Sequence, residues 1–333
     1  TVEGNFTADG GTIKLDGNYP VGSRNVALGD TALDSITSAS DVVAIGNAAL
    51  TSNTTGEDQV AIGSFSLDAN TTGNFNTAVG FASLSSNTTA SNNTAVGYQA
   101  GYANTGDKNT FVGKESGVAN TSGRLNTMLG QRAGKSNTTA NSNTFVGQAA
   151  GEDNTTGAFN TAIGDQSLKS NTTASNNTAV GYQAAYSNTT GANLTAVGRK
   201  AAYFNSTGTD NTAIGHDVFF ANTTGSYNTA LGKHALASNT TSSNNTAVGY
   251  QAGYSNTSSG ANTFVGHQSG YSNTGSNNSA FGYGSLRLNT SGVFNVAVGL
   301  QSLYSNTTTS NSTAVGYQAG YSNTSGGVQA FGY

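Results

Sequence analysis

A five-residue unit of the NTAVG kind returns nineteen times along the chain, at nearly constant spacing. The glycine that ends each unit, called the motif glycine here, is separated from the next by seventeen residues, or by sixteen in three steps; the positions are 29, 46, 63, 80, 97, 113, 130, 147, 164, 181, 198, 215, 232, 249, 266, 282, 299, 316 and 332. A short fixed period is typical of solenoids, in which each coil stacks only on its neighbours. We predict an all-β, parallel β-solenoid of about nineteen 17-residue coils over residues 25–333, preceded by a capping lead-in over residues 1–24.

The residues around the motif glycine indicate strands rather than helices, because β-branched residues, Gly and Asn dominate every coil. The residue before the glycine is aliphatic or Phe, from Leu28 to Phe331. We predict that it faces the core, together with the mostly β-branched residue two positions earlier. The residue between them, on the opposite face, is mostly Ala, with larger exceptions at Phe111, Met128, Phe145 and Phe264. Three residues past the glycine stands Ala, Ser or a single Val218, which predicts a close approach of backbones.

Asparagine recurs seven residues past the motif glycine, in a position that we call the bend column; Ile36 is the one exception. A second asparagine column opens the repeat unit, as at Asn76 and Asn93. Stacked asparagines tolerate left-handed backbone angles and pass side-chain amide hydrogen bonds from coil to coil. We therefore predict a structural ladder in the bend column that includes Asn53, Asn70, Asn87, Asn104, Asn120, Asn137, Asn154, Asn171 and Asn188.

Two further features bear on this bend. The three sixteen-residue steps each lose a residue there, at Thr105 to Gly106, at Thr274 to Gly275 and before Val328, which indicates a loop. Many bend asparagines also begin a formal Asn-x-Thr/Ser glycosylation signal, so a sugar-coated surface is the alternative to a buried ladder. The ladder is favoured because the asparagine persists at Asn104 and Asn273, where the signal is lost.

Composition excludes several functional classes. Charged residues are only 8% of the chain, the net charge is −4 and no Lys/Arg cluster occurs, so we predict no nucleic-acid partner. The chain has no cysteine, which removes disulfides and thiolate metal sites. An apolar run of the roughly 20 residues needed to cross a bilayer is also missing, so no membrane insertion of this segment is expected. Apolar side chains are few in each coil, and we predict that several chains associate with cyclic symmetry to bury more of them.

At this point the repeats resemble a known family. The unit NTAVG, with the variants NVALG from Asn25, DVVAIG from Asp41 and QVAIG from Gln59, is similar to the head repeats of trimeric autotransporter adhesins. It is still more similar to the NTAVGYQALYSNT-type repeat arrays of bacteriophage tail-fibre proteins. The resemblance covers residues 25–333 and implies a left-handed parallel β-roll that packs as a homotrimer in an extracellular fibre. The adhesin repeat is shorter, and we expect the additional residues in the Asn-Thr-Thr-Gly loop.

The expected function follows from the repeats and the resemblance. We predict a non-enzymatic structural and adhesive shaft of an extracellular fibre: a phage tail fibre in host attachment or, alternatively, a bacterial cell-surface trimeric adhesin or filament. Its partners would be further copies of itself and a glycan or protein receptor on the host surface. Ice binding by threonine arrays and glycan cleavage are rivals. Because the columns hold neither a paired Thr-x-Thr face nor a carboxylate pair, we expect neither of these activities, and no catalytic residue, metal or cofactor.

Two residue types remain open to a binding role. The three histidines, His216, His234 and His267, follow motif glycines in separate coils, and we expect solvated side chains there rather than metal ligands. Tyrosine pairs in four coils could stack on sugar rings as a receptor stripe, or else pack along the stack or between chains. These residues are Tyr98, Tyr102, Tyr182, Tyr186, Tyr250, Tyr254, Tyr317 and Tyr321.

Overall fold

A computed structural model describes residues 24–332, so the predicted lead-in lies outside the described residues except for Arg24. The chain divides into two compact units, with described residues 24–160 in unit 1 and 161–332 in unit 2. Within this described part of the chain every regular element is a β-strand. Residues 24–332 also hold no helix of the length and apolarity needed to span a membrane.

Unit 1 is a parallel β-solenoid with one short strand in each coil. Consecutive strands pair in parallel and in register, so that Thr94, Ala95 and Val96 lie beside Thr110, Phe111 and Val112. The strands are β1 (Val26–Leu28), β2 (Val42–Ile45), β3 (Gln59–Ile62), β4 (Thr77–Val79), β5 (Thr94–Val96), β6 (Thr110–Val112), β7 (Thr127–Leu129) and β8 (Thr144–Val146).

Unit 2 is built in the same way, and its strands also pair in parallel with their neighbours in sequence, for example Thr178 with Thr195. The predicted all-β, parallel solenoid is thus confirmed in each unit. The strands are β9 (Thr161–Ile163), β10 (Thr178–Val180), β11 (Thr195–Val197), β12 (Thr212–Ile214), β13 (Thr229–Leu231), β14 (Thr246–Val248), β15 (Thr263–Val265), β16 (Ser279–Phe281), β17 (Val296–Val298), β18 (Thr313–Val315) and β19 (Gln329–Phe331).

The motif glycine ends each strand for a steric reason. Gly97 has φ +138°, and a Cβ atom added to it would lie 2.6 Å from the carbonyl oxygen of Gly113 in the next coil. A side chain is therefore excluded both by the backbone angle and by the neighbouring backbone. The turn that follows closes with a hydrogen bond from the N–H of Ala100 to Gly97 O, at 3.3 Å. Ala100, the small residue three places past the glycine, is completely buried.

One prediction about the strand faces is wrong. The residue before the motif glycine was expected in the core, yet Val96 is 37% exposed and Leu231 is 43% exposed. The Ala between the two predicted core positions, such as Ala95, is completely buried instead. A period of two identifies two strand faces but not which of them is inside. The interior of a coil is narrow, so the side lined by small residues faces inward and the larger aliphatic residues point outward.

In several coils the core exchanges residue size between two columns. Many coils place Ala on the strand and a larger residue four places past the motif glycine, as with Ala280 and Leu286, which are both fully buried. Where the strand supplies Phe264, the turn supplies Gly270, and a Cβ on that glycine would lie 2.4 Å from the Phe264 ring. Dense interiors permit such compensation but neither a second large residue nor a void.

Candidate functional site

The bend column forms the ladder that the sequence predicts. Asn205 in unit 2 is an example: its Nδ2 donates to Asn188 Oδ1 at 2.9 Å and to Gly208 O at 3.0 Å, and its Oδ1 accepts from Asn222 Nδ2. Each amide thus closes its own bend and joins the coil before it. The same side-chain link connects Asn70 to Asn53, Asn87 to Asn70, Asn120 to Asn104, Asn137 to Asn120, Asn154 to Asn137 and Asn188 to Asn171.

The asparagine that opens each repeat unit builds a second ladder, in which the side chain forms hydrogen bonds with backbone groups of the neighbouring coil. Asn76 Oδ1 accepts a hydrogen bond from the backbone N–H of Asn93 at 3.0 Å. Asn76 Nδ2 donates to the carbonyl of Ala90, at 2.9 Å, in the bend. Both the Oδ1 and the Nδ2 of this side chain are therefore hydrogen-bonded inside the protein. Polar backbone groups can be buried there without losing hydrogen bonds.

The bend asparagines are unsuited to glycosylation in the folded chain. The side chains from Asn53 to Asn306 in the bend column are completely buried, and their Nδ2 atoms serve as hydrogen-bond donors. An attached sugar would need the same nitrogen and an open path to solvent. The preference for a buried ladder over a sugar-coated surface is thus confirmed for these residues.

The shortened bend at Gly106 disturbs both ladders. Asn104 Nδ2 reaches the carbonyl of Gly106, two residues ahead instead of three, at 2.8 Å. Within residues 24–332, Asn87 Oδ1 and Asn93 Nδ2 are then left buried without a hydrogen-bond partner. The deletion is accommodated in the loop, as the sequence predicts, at the expense of two hydrogen bonds in the coil before it.

The outer face of the strands carries an exposed apolar column. It consists of the residues directly before the motif glycines, and we call it the aliphatic column. Several of its members are more than a third exposed, among them Ile62, Val96, Ile163, Ile214, Leu231, Phe281, Val298 and Val315. In unit 2 the residues are in register along consecutive strands, as with Leu231 beside Val248. A continuous exposed apolar face of this kind marks an interaction surface.

The predicted tyrosines separate into two columns on the turn that follows the strand. The first turn column comes directly after the motif glycine and contains Tyr98, Tyr182, Tyr250 and Tyr317, which are 40–47% exposed. The second turn column lies five residues after the motif glycine and contains Tyr102, Tyr186, Tyr254 and Tyr321. The eight tyrosines therefore belong to two columns at different distances from the motif glycine.

Each turn column stacks its rings along the solenoid instead. In the first turn column Tyr98 stacks on Phe81, with ring centroids 5.6 Å apart, and His267 lies between Tyr250 and Tyr283. In the second turn column Tyr254 stacks on Tyr271 at 5.2 Å. This column continues through cation–π contacts of Arg287 with Tyr271 and Tyr304, and ends with Tyr304 stacked on Tyr321.

Sequence reasoning missed several members of these columns. Tyr186, Tyr203 and Phe220 stack at 5.1 Å and 5.4 Å in consecutive coils of the second turn column. Burial raises the pKa of the Tyr203 hydroxyl. His267 and Arg287 take the place of tyrosine in these columns, and each presents a flat group to the rings beside it. Their equivalent distance from the motif glycine is the sequence signal that identifies them.

Titratable side chains converge at one place on the turn surface of unit 2. His216, Asp217 and His234 each offer a ligand-type atom, and these atoms lie within 4.8 Å of one another. The two imidazole rings, from separate coils, are 6.0 Å apart at their centroids, and the His216 side chain is 43% exposed. Burial, the largest influence, lowers the pKa of His234, although Asp217 nearby favours its protonated form.

His216 is held between two charged partners. Its Nε2 atom accepts from Arg199 Nη1 at 2.9 Å, which places the ring proton on Nδ1, 3.1 Å from Asp217 Oδ2. Arg199 also lies 3.5 Å from Asp217 Oδ1. A metal ion bound at His216 Nε2 would have to displace the arginine. The arrangement therefore fits a structural ion-pair cluster better than a metal centre.

Comparison with known proteins identifies no family for this chain. No protein-family model matches the sequence, and no curated protein matches it significantly. A functional assignment must therefore rest on the ladders, the aliphatic column and the turn columns.

Proposed function

We propose that this protein is a non-enzymatic structural and adhesive shaft of an extracellular fibre, namely a bacteriophage tail fibre that takes part in host attachment. The observation that carries the proposal is that each coil has a uniform, hydrogen-bonded interior and a variable outer turn surface. Two buried asparagine ladders and a compact Ala/Leu core link each coil to its neighbours, which favours stiffness. The turn surface varies from coil to coil, which leaves it available for recognition.

Self-association belongs to the same proposal. The aliphatic column leaves large apolar side chains exposed on coil after coil, and a homotrimer of left-handed β-rolls packed through this face would bury them. A cyclic arrangement is favoured because every chain offers the same column at the same spacing. The alternative of a bacterial surface adhesin would use the same packing, so oligomeric state alone does not separate the two.

Sedimentation equilibrium tests the association. We expect the wild type at three times the chain mass and a shift toward monomer when Leu231, Val248 and Val265 are all changed to Gln. The matched control changes Phe159, Tyr227 and Phe294 to Gln, since these side chains are 58–63% exposed in a different column. The control should remain trimeric. A monomeric wild type would contradict the proposed packing.

The biological role is tested by locating the protein. Gold-labelled antibody against the chain should decorate the fibres of phage particles, and the purified protein should reduce adsorption of those particles to host cells. Label found on bacterial cell surfaces instead would favour the adhesin alternative. Failure of the protein to reduce adsorption would contradict a role in attachment.

Ice binding remains a second candidate because of one observation. Thr178, Thr195 and Thr212 lie in register on consecutive strands, in the face that also carries the aliphatic column. Only one threonine is contributed by each of these strands, and the other outward position is Val or Ile. We expect no thermal hysteresis from the purified protein, and a clear hysteresis would favour ice binding.

A further inference from the structure

The second turn column has a gap in unit 2. Tyr186, Tyr203 and Phe220 stack in consecutive coils, and the next coil supplies Ala237 where the column would continue. Aromatic stacking resumes one coil later at Tyr254. The missing ring leaves a surface pocket of about 360 Å³, whose lining includes Phe220, Ala237 and Tyr254.

The dimensions of the gap match one ring. Phe220 and Tyr254 belong to coils two steps apart, and each step is about 4.8 Å in a parallel sheet, so the gap is about 10 Å. Phe220 is within 17° of parallel to Tyr203, and Tyr254 is within 7° of parallel to Tyr271, so each ring faces along its column. A ring placed midway would lie about 5 Å from each neighbour, which is within the range for stacked rings.

The charge around the pocket selects the kind of ring. Arg199 and Lys200 line it, against the single carboxylate of Asp217, so the lining has an excess of one positive charge. Asp217 and His216 engage Arg199 on one side, whereas Lys200, which also lines the pocket, has its Nζ over the Tyr203 ring, 5.4 Å from its centroid. His234 completes the wall, with its ring edge-on to Tyr254. A monoanionic ligand complements this charge.

We propose that this gap, between Phe220 and Tyr254, binds a six-membered ring that carries a carboxylate, in the form of a sugar acid of a surface polysaccharide. The ring replaces the aromatic side chain missing at Ala237, and the carboxylate pairs with Lys200 and Arg199. The choice of a sugar acid over an aromatic acid rests on the proposed function in attachment. A metal ion fits less well, because Arg199 already donates to His216 Nε2 and lies 3.5 Å from Asp217 Oδ1.

Ligand-observed NMR and calorimetry on the full chain test this site with four probes: glucuronate, N-acetylneuraminate, neutral glucose and benzoate. We expect a sugar acid to bind about tenfold more tightly than glucose, because of its charge-assisted contacts. Ala237→Tyr fills the gap with the residue used by neighbouring coils and should abolish binding. Arg287→Tyr adds a ring to the same column away from the gap and should leave binding unchanged.

Two further variants test the site even if the Ala237→Tyr protein fails to fold. Ala237→Ser should retain binding, and Lys200→Gln should weaken binding of the sugar acid severalfold without affecting glucose. Equal affinity for glucose, or binding that survives Ala237→Tyr, would overturn the site. Benzoate binding without sugar-acid binding would overturn the choice of a sugar. Sugar-acid binding by a protein that does not reduce phage adsorption would contradict the proposed function and leave the site intact.

Discussion

The interior of each coil and the turn surface of the same coil follow opposite rules. Inside, the same few residues recur: Asn in the two ladders, Ala on the strand and mostly Leu or Gly opposite it. Outside, the turn columns hold Tyr, His, Lys, Arg, Asp or Ala at equivalent positions. An inner residue must pack against, or hydrogen-bond to, the coils on both sides of it. An outer residue also contacts solvent, which accommodates side chains of many kinds. Uniformity therefore indicates structural constraint, and variation indicates freedom for recognition.

The largest effect is expected from the size exchange in the core. Phe264→Ala should lower the free energy of unfolding by about 3–5 kcal/mol, because it leaves a cavity beside Gly270. Adding Gly270→Leu recreates the Ala280/Leu286 pairing of the next coil and should restore more than half of the loss. Gly270→Leu alone should also destabilise the protein, since its Cβ collides with the Phe264 ring. Urea unfolding of the three variants measures this, and simple additivity would contradict the exchange.

A smaller effect is expected from the bend ladder. Asn205→Ala removes two donated and two accepted hydrogen bonds, and it leaves Asn222 Nδ2 and Asn211 Nδ2 each with one partner fewer. We expect a loss of about 1–3 kcal/mol in the free energy of unfolding. Thr207→Ala, in the exposed part of the same bend, is the matched control and should change stability by less than about 0.5 kcal/mol. Equal effects of both variants would show that the ladder is not stabilising.

The turn columns should contribute less than either inner feature. Tyr271→Ser removes the stack on Tyr254 and the cation–π contact with Arg287, and we expect a loss of about 1 kcal/mol. The measurement is again the urea midpoint. A loss larger than that of Asn205→Ala would contradict the contrast between a structural interior and a permissive surface.

The smallest effect is a pH dependence from His234. Its pKa is lowered in the folded chain, chiefly by burial, with Lys233 and His216 opposing protonation and Asp217 favouring it. Below its ordinary pKa of about 6.5, the unfolded chain therefore binds this proton more readily, and stability falls as the pH falls. Wild type should lose more stability than His234→Asn between pH 7.5 and 5.5. An equal loss in both proteins would assign the effect to other groups.

Much of the fold could be predicted from the columns, and much of the site could not. The bend ladder was predictable because in-register stacking places an asparagine repeated at one position beside its copy in the next coil. The orientation of the strand was not, since Val96 and Ala95 are both apolar and alternate in the same way. The stacking of His267 and Arg287 with tyrosines was missed because these residues differ from tyrosine in type. Their side chains nevertheless end in flat groups that pack against the rings in the same way.

By itself, the sequence determined the period, the strand positions and the pairing of each residue with its equivalent in the next coil. The repeats allow only one strand register in which equivalent residues of neighbouring coils lie side by side. Only the tertiary structure decided which strand face is inside and which turn residues meet across coils. Those outcomes depend on the width of the coil interior and on distances between residues seventeen positions apart. The gap at Ala237 is the clearest case, since one alanine becomes a pocket only when aromatic rings stand on both sides of it.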